Sequence, residues 1–227
     1  MIPPMAAAPS FSSPPWYAQC AARLMHLWFF KATGTAAFMG VFFYGYFAVL
    51  RSPIGPVTVM PVTRIDEWVA FWPSAFYLYA SLWVYTSLVP ALQPTLFRLV
   101  VYGLGIGALC LTGLLIFSFF PTTVPYVFSD WGTDPSLSLL RRLDMAGNAW
   151  PSLHVATALF TAMCLHRLLR GLGAPAWVRA GNWFWCVLIV YSTMAIKQHV
   201  LWDVLAGIVL GLLFGMLYLK LEKRLAD

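Results

Sequence analysis

Six apolar runs constrain this chain more than any other feature. They lie near residues 27–50, 68–90, 97–119, 152–170, 182–198 and 200–220, each bounded by charge, proline or glycine. A helix needs about 20 apolar residues to cross roughly 30 Å of hydrocarbon, so each run reads as a membrane span, the fifth being short. The expected fold is therefore all-α: a polytopic, six-helix transmembrane bundle. Only 10% of the 227 residues are charged, against about 25% in soluble domains, and the spans leave no room for a large soluble domain. Residues 1–20 are proline-rich and contain no Lys or Arg, so they lack the basic start of a signal peptide. They read as a mobile or surface-lying leader ahead of a transmembrane domain at 21–227.

Charge reports topology here. With so few charges, a net +6 does not describe a nucleic-acid surface. Six spans place Arg23, Lys31, Arg98, Arg167, Arg170, Arg179, Lys220, Lys223 and Arg224 on one side, and Arg51, Arg64, Arg141, Arg142 and Lys197 on the other. The excess of basic residues on the first side predicts cytoplasmic N- and C-termini. The long connection 120–150 then lies outside the cytoplasm. Trp28, Trp68, Trp72, Trp183, Trp185 and Trp202 fall near span ends, where indole rings prefer to sit, whereas Trp83 reads as packed between helices.

Several features read as packing. Cys110, Cys164 and Cys186 fall inside spans and Cys20 precedes the first, so no disulfide framework or CxxC metal pair is implied. Gly103, Gly105 and Gly107 lie inside a span with no strand before them and are not a dinucleotide loop. Gly207, Gly211 and Gly215 form two overlapping GxxxG steps, able to face the bundle or a second subunit; oligomeric state stays open.

Chemistry concentrates in two stretches, NAWPSLHVATALF at 148–160 and AIKQHVLWDVLAG at 195–207. Span four runs inward from its outer end and span six also starts outside, so His154 and His199 share one depth. Asp203 follows His199 by four residues, within reach on one helical face. Ionisable groups at such a depth are costly unless paired or wet, and are functional candidates by default. An aspartate that holds one imidazole nitrogen fixes the tautomer and leaves the other nitrogen as nucleophile or base, while a second histidine can protonate a leaving oxygen. The alternative is a His–Asp pair that only stitches two helices. His166, twelve residues beyond His154, reads as a residue of the cytoplasmic edge. Phosphate-binding candidates are Lys197, Arg141, Arg142, and the backbone amides of Leu153 and His154 at a helix start capped by Ser152. Together these parts fit phosphoryl transfer.

PSLH at 151–154, with His199 45 residues after its histidine and then Asp203 in KQHVLWDVLAG, resembles the type 2 phosphatidic acid phosphatase superfamily of integral membrane lipid phosphatases. The likeness is to its bacterial branch with PSLH and KQH-x3-D, and the PSLH element is similar to that of inositol phosphorylceramide synthases. RIDEWVAFWPSAFYLYASL and FPTTVP are supporting segments. The resemblance implies the catalytic set His199 (nucleophile, through a phosphohistidine), Asp203 (its orienter) and His154 (acid for the leaving oxygen), with Ser152 touching phosphate. It further implies metal-free chemistry without a cofactor, a bacterial inner membrane, and an active site facing the periplasm or exterior. The sequence departs from the family pattern twice. Thr193 stands where the third motif carries arginine, and the first motif, with its lysine and arginine, is not recognisable.

Three functions follow. The first is a lipid phosphatase acting on a lipid phosphomonoester or polyprenyl diphosphate. The second is a phosphotransferase that passes a phosphoryl or phospho-alcohol group to a lipid or sugar hydroxyl. The third is a non-enzymatic transporter or scaffold. The residues His154, His199 and Asp203 could alternatively ligate a metal.

Overall fold

The computed structural model describes residues 14–125 and 147–225, and their ordered structure is almost entirely helical. The elements in chain order are α1 (Trp16–Met25), α2 (Trp28–Arg51), β1 (Thr58–Val59), α3 (Arg64–Trp68), a 3-10 turn (Pro73–Ala75), α4 (Phe76–Ala80), α5 (Leu82–Ala91), α6 (Leu96–Phe119), β2 (Thr122–Thr123), α7 (Leu153–Gly171), α8 (Ala176–Ala195) and α9 (Leu201–Arg224). The boundary drawn after Cys20 falls inside α1, whose Trp16 and Cys20 pack against the main core.

Three of the described helices, α2, α6 and α9, are long and apolar enough to cross a membrane. Val41, Leu104, Leu111 and Val209 are exposed on them, as side chains that face lipid would be. By contrast, α7 is enclosed by α5, α6, α8 and α9. Its buried residues include Ala156, Ala158, Thr161, Ala162 and Cys164. A helix surrounded by other helices needs small side chains for close approach more than it needs hydrophobicity, because lipid tails supply no drive for apolar association.

The predicted span at 68–90 is not one helix. Residues 69–72 separate α3 from a turn that Pro73 opens, whereas α4 runs on into α5 through Ser81, whose N–H donates to the Tyr77 carbonyl and whose carbonyl accepts from Tyr85 N. Proline is suited to such a first position because it has no N–H to satisfy and a preset φ. The fifth predicted span is also displaced: α8 begins at Ala176 and ends at Ala195. Beyond it Lys197 takes a left-handed φ of 60°, and the amides of Gln198 and His199 both donate to the Thr193 carbonyl.

The glycine ridge of α9 faces the bundle. A Cβ at Gly207 would lie 2.6 Å from the Ser152 carbonyl oxygen, and one at Gly211 would lie 2.7 Å from that of Ala156. These contacts bring the backbones of α7 and α9 together, which sets the separation of the histidines they support. A buried polar junction ties α7 to α8 and α5: Asn182 Nδ2 donates to the Ala162 carbonyl, and Tyr85 Oη donates to Asn182 Oδ1 at 2.7 Å.

The FPTTVP segment anchors the start of α7. β1 and β2 pair in parallel, and the Thr122 carbonyl accepts from the amides of Gly147 and Ala149. The Thr122 hydroxyl accepts from Trp150 N at 2.8 Å. Gly147 has a φ of 119°, a region that suits glycine, so the chain can double back here before α7.

Candidate active site

Asp203 is the most enclosed member of the site. It occupies the first turn of α9 with no exposed surface, and its Oδ2 accepts from Val200 N at 3.0 Å and lies 3.5 Å from His199 Nδ1. The sequence spacing suggests a pair along one helical face, but α9 begins only at Leu201. His199 instead belongs to the turn that precedes the helix, and the carboxylate reaches back to it from the capping position. With Nδ1 turned toward Asp203, Nε2 is the remaining nitrogen of His199.

His154 lies in the first turn of α7, with its ring centroid 6.4 Å from that of His199. Sequence reasoning missed the residue that holds it. The Tyr79 ring stacks on His154 at 4.1 Å between centroids, and its hydroxyl lies 3.3 Å from His154 Nδ1. Trp83 meets the same imidazole edge-on at 5.6 Å. His154 Nε2 is buried and has no hydrogen-bond partner among the described residues.

Both histidines line a cavity of ≈ 470 Å³ between α2, α4, α5, α6 and α7. Much of the rest of its lining is aromatic, with Phe38, Phe42, Phe43, Trp83 and Phe117. Asn148, Gln198 and Tyr79 add polar groups beside the imidazoles. No lysine or arginine is among its described lining residues.

The other sequence-derived candidates divide. Leu153 lines the cavity, and the amides of Leu153 and His154 occupy the first turn of α7, where a helix offers its own N–H groups no partner. Ser152 is fully buried, and its hydroxyl accepts from Val155 N as the N-cap of α7. Lys197 does not line the cavity. Its Nζ donates to the carbonyls of Asp66 and Val69. Thr193, at the expected arginine position, is buried and returns its hydroxyl to the Val190 carbonyl. Arg141 and Arg142 lie outside the described residues. His166 sits toward the far end of α7, where Trp183 Nε1 donates to its Nδ1 at 3.1 Å. Among the described residues, no three His, Cys, Asp or Glu side chains are grouped to hold a metal ion.

Asp66 is a second residue whose importance only the fold reveals. It is buried, its Oδ1 accepts from Leu201 N at 2.7 Å, and its Oδ2 accepts from Thr63 N at 2.7 Å. With Lys197 reaching the Asp66 carbonyl, α3 grips the His199 turn on both sides.

The sequence profile of the PAP2 superfamily matches residues 99–226, which include α7, α8, α9, His154, His199 and Asp203. The chain belongs to the PAP2 superfamily. No curated protein and no solved structure gives a significant match. Membership in the PAP2 superfamily, with three long apolar helices, makes this a membrane protein of phosphatase or phosphotransferase type. Within the PAP2 match, the histidine on α7 and the histidine before α9 face one cavity, and the described cationic side chains are held elsewhere.

Proposed function

We propose that this protein is an integral membrane lipid phosphatase that hydrolyses a lipid phosphomonoester or polyprenyl diphosphate through a phosphohistidine on His199. The observation that carries this reading is the pair of imidazoles, with ring centroids 6.4 Å apart, lining one aromatic cavity. In-line transfer needs a nucleophile about 3 Å from phosphorus on one side and an acid within about 3 Å of the leaving oxygen on the other, and the ring separation has that scale.

In the first step His199 Nε2 forms a bond to phosphorus as the bond to the lipid oxygen breaks, and His154 gives that oxygen its proton. In the second, water attacks phosphorus, the P–N bond breaks, and the water proton passes to His154. Asp203 fixes the reactive tautomer and stabilises the imidazolium. The first-turn amides of α7 would cradle the phosphoryl oxygens, with Ser152 holding that turn in shape. Lys197, Arg141 and Arg142 would supply positive potential, Lys197 from its place beside the His199 turn.

The topology proposed with this activity has six spans: α2, the Pro73–Ala91 segment, α6, α7, α8 and α9. Nineteen residues from Pro73 to Ala91 extend about 28 Å at 1.5 Å per residue, close to the hydrocarbon thickness. Both termini would be cytoplasmic and the histidines would open to the outer face, in the inner membrane of a bacterium.

A second reading is favoured by Leu153. Its side chain lines the cavity beside His154, so an apolar group stands at the reacting end. Such a wall would favour a bulky alcohol over water as acceptor of the phosphoryl group, giving phosphotransfer. The test is product analysis with purified protein and a panel of lipid phosphates in mixed vesicles without added divalent metal. Inorganic phosphate as the product, lost in His199→Ala, supports hydrolysis; a phosphate ester of an added alcohol supports phosphoryl transfer, and a new phosphodiester lipid supports transfer of a phospho-alcohol group. Full activity of His199→Ala removes both readings.

A further inference from the structure

At the end of the bundle remote from the histidines lies a second cavity of ≈ 520 Å³, lined by Arg23, Arg98, Arg167, Arg170 and Glu222. Arg98 is near the start of α6, Arg167 and Arg170 are in the last turns of α7, and Glu222 closes α9. Thirteen residues of α7 separate Arg167 from His154, about 20 Å of helix. The two cavities therefore belong to opposite ends of the same helices.

The charges in this cavity do not balance. Glu222 is the one carboxylate in its lining among the described residues. It lies 3.4 Å from Arg98 Nη1 and 3.8 Å from Arg167 Nε. Arg23 reaches the Leu92 carbonyl with Nη1, while the exposed Arg170 side chain makes no hydrogen bond or ion pair among the described residues. Burial disfavours the charged form of Arg23, and the neighbouring Arg98 pushes the same way despite opposition from Cys20. Guanidinium groups stay charged, so such crowding raises the local potential. A mere ion-pair stitch between α6, α7 and α9 would need Arg98, Arg167 and Glu222 only. Arg23 and Arg170 exceed that requirement.

We propose that this cavity binds a phosphate group at the membrane surface opposite the histidine site. Planar guanidinium forks match phosphate oxygens, and converging arginines supply the charge that one carboxylate leaves uncompensated. The depth suits a lipid headgroup. Arg23 is on α1, which also exposes Tyr17 and Met25, and Trp28 is exposed at the start of α2, the kind of aromatic fringe found at a bilayer interface. A free phosphate has the same recognition chemistry, so the two sources need separate measurement.

The experiment uses the full chain in detergent, with thermal stability and native mass spectrometry as readouts. Its probes are phosphatidylglycerol, phosphatidylethanolamine with the same acyl chains, and inorganic phosphate. Wild-type protein is expected to retain phosphatidylglycerol preferentially, by about five-fold for each arginine engaged. Arg23→Gln/Arg170→Gln should lose that preference, His154→Ala should keep it, and Glu222→Gln should strengthen it by removing the competing carboxylate. Stabilisation by inorganic phosphate alone identifies a soluble occupant. Stabilisation by phosphatidylglycerol alone identifies a headgroup. The proposal is overturned by an anion preference that is absent from wild type or unchanged in the double variant. A Glu222→Gln protein that loses stability without gaining anion retention also overturns it, since that is how a stitch behaves.

Discussion

His199 Nδ1 and Asp203 Oδ2 lie 3.5 Å apart across the entrance to α9, with the carboxylate wholly enclosed and also accepting from Val200 N. One aspartate thus faces the imidazole and caps the helix behind it. Asp203→Asn keeps the shape but replaces one oxygen with an N–H donor and removes the charge that favours the reactive tautomer. The expected result is a fall in kcat of about 10²–10⁴-fold, the range of acid–base assistance, with the protein still folded. Steady-state phosphate release and circular dichroism on the same preparation check this. Unaltered kcat would remove the orienting role.

If His154 protonates the departing oxygen, its importance depends on what departs. An alkoxide requires a proton, whereas a nitrophenolate leaves without one. His154→Ala should therefore lose most of its activity on a lipid phosphomonoester, by about 10²-fold or more, and much less on p-nitrophenyl phosphate. Parallel rates on the two substrates decide the matter. Equal losses on both would place the limiting role of His154 in the water step or in binding and not in protonating the leaving oxygen.

Much of this centre was legible in the sequence because its parts are local. PSLH places His154 in the first turn of a helix, four residues join His199 to Asp203, and the structure brings the two imidazoles within 6.4 Å. The long apolar helices α2, α6 and α9 were legible for a similar reason, since lipid-facing surface must be continuously hydrophobic. What escaped depends on tertiary contact. Tyr79 lies 75 residues from His154, and nothing near it marks it as a stacking partner. Asp66 reads as one acidic residue among several, and its value comes from Leu201 N, 135 residues away. In the sequence Lys197 stands two residues before His199, which makes it look like a phosphate ligand. Its left-handed backbone instead directs the ammonium to the Asp66 and Val69 carbonyls.

That grip makes Asp66 a testable positioning residue. Asp66→Ala would leave Leu201 N and Thr63 N without their acceptor in a buried setting, at a cost of about 1–3 kcal/mol for each unsatisfied group. The variant should unfold at lower temperature and lose kcat with little change in KM, because the turn that carries His199 loosens while the aromatic wall of the cavity on α2 and α6 is untouched. Asp66→Asn, which keeps an acceptor for Leu201 N, should recover part of both. Loss of stability with full kcat would leave Asp66 a purely structural residue.

Close approach of α9 to α7 gives a different kind of prediction. Alanine normally favours a helix over glycine by roughly 1 kcal/mol, yet at Gly207 its Cβ would meet the Ser152 carbonyl at 2.6 Å. Backbone cannot swing aside as a flexible side chain can, so the helices must separate. Gly207→Ala should destabilise by about 1–3 kcal/mol, the usual cost of overpacking, and lower activity by moving Asp203 relative to His154. Gly181→Ala on α8, where a Cβ would meet nothing within 4 Å, should be neutral or stabilising. Thermal midpoints of the two variants in one detergent make the comparison. Equal midpoints would mean that α9 has room to shift.

Substrate reach is testable from the cavity wall. Thr86 lines the cavity on α5, and its hydroxyl donates to the Leu82 and Trp83 carbonyls of its own helix, so replacing it costs little in fixed structure. Thr86→Phe would fill space in the cavity without replacing His154, His199 or Asp203. If the lipid chain lies there, KM should rise about ten-fold or more for a long-chain phosphomonoester, the effect of roughly 1.4 kcal/mol of lost binding. A short-chain substrate should keep its KM, and kcat on it should stay near wild type because the phosphoryl site is unchanged. A chain-length series measured on both proteins gives the answer. A uniform rise in KM at every length would show that the chain takes another route between the helices.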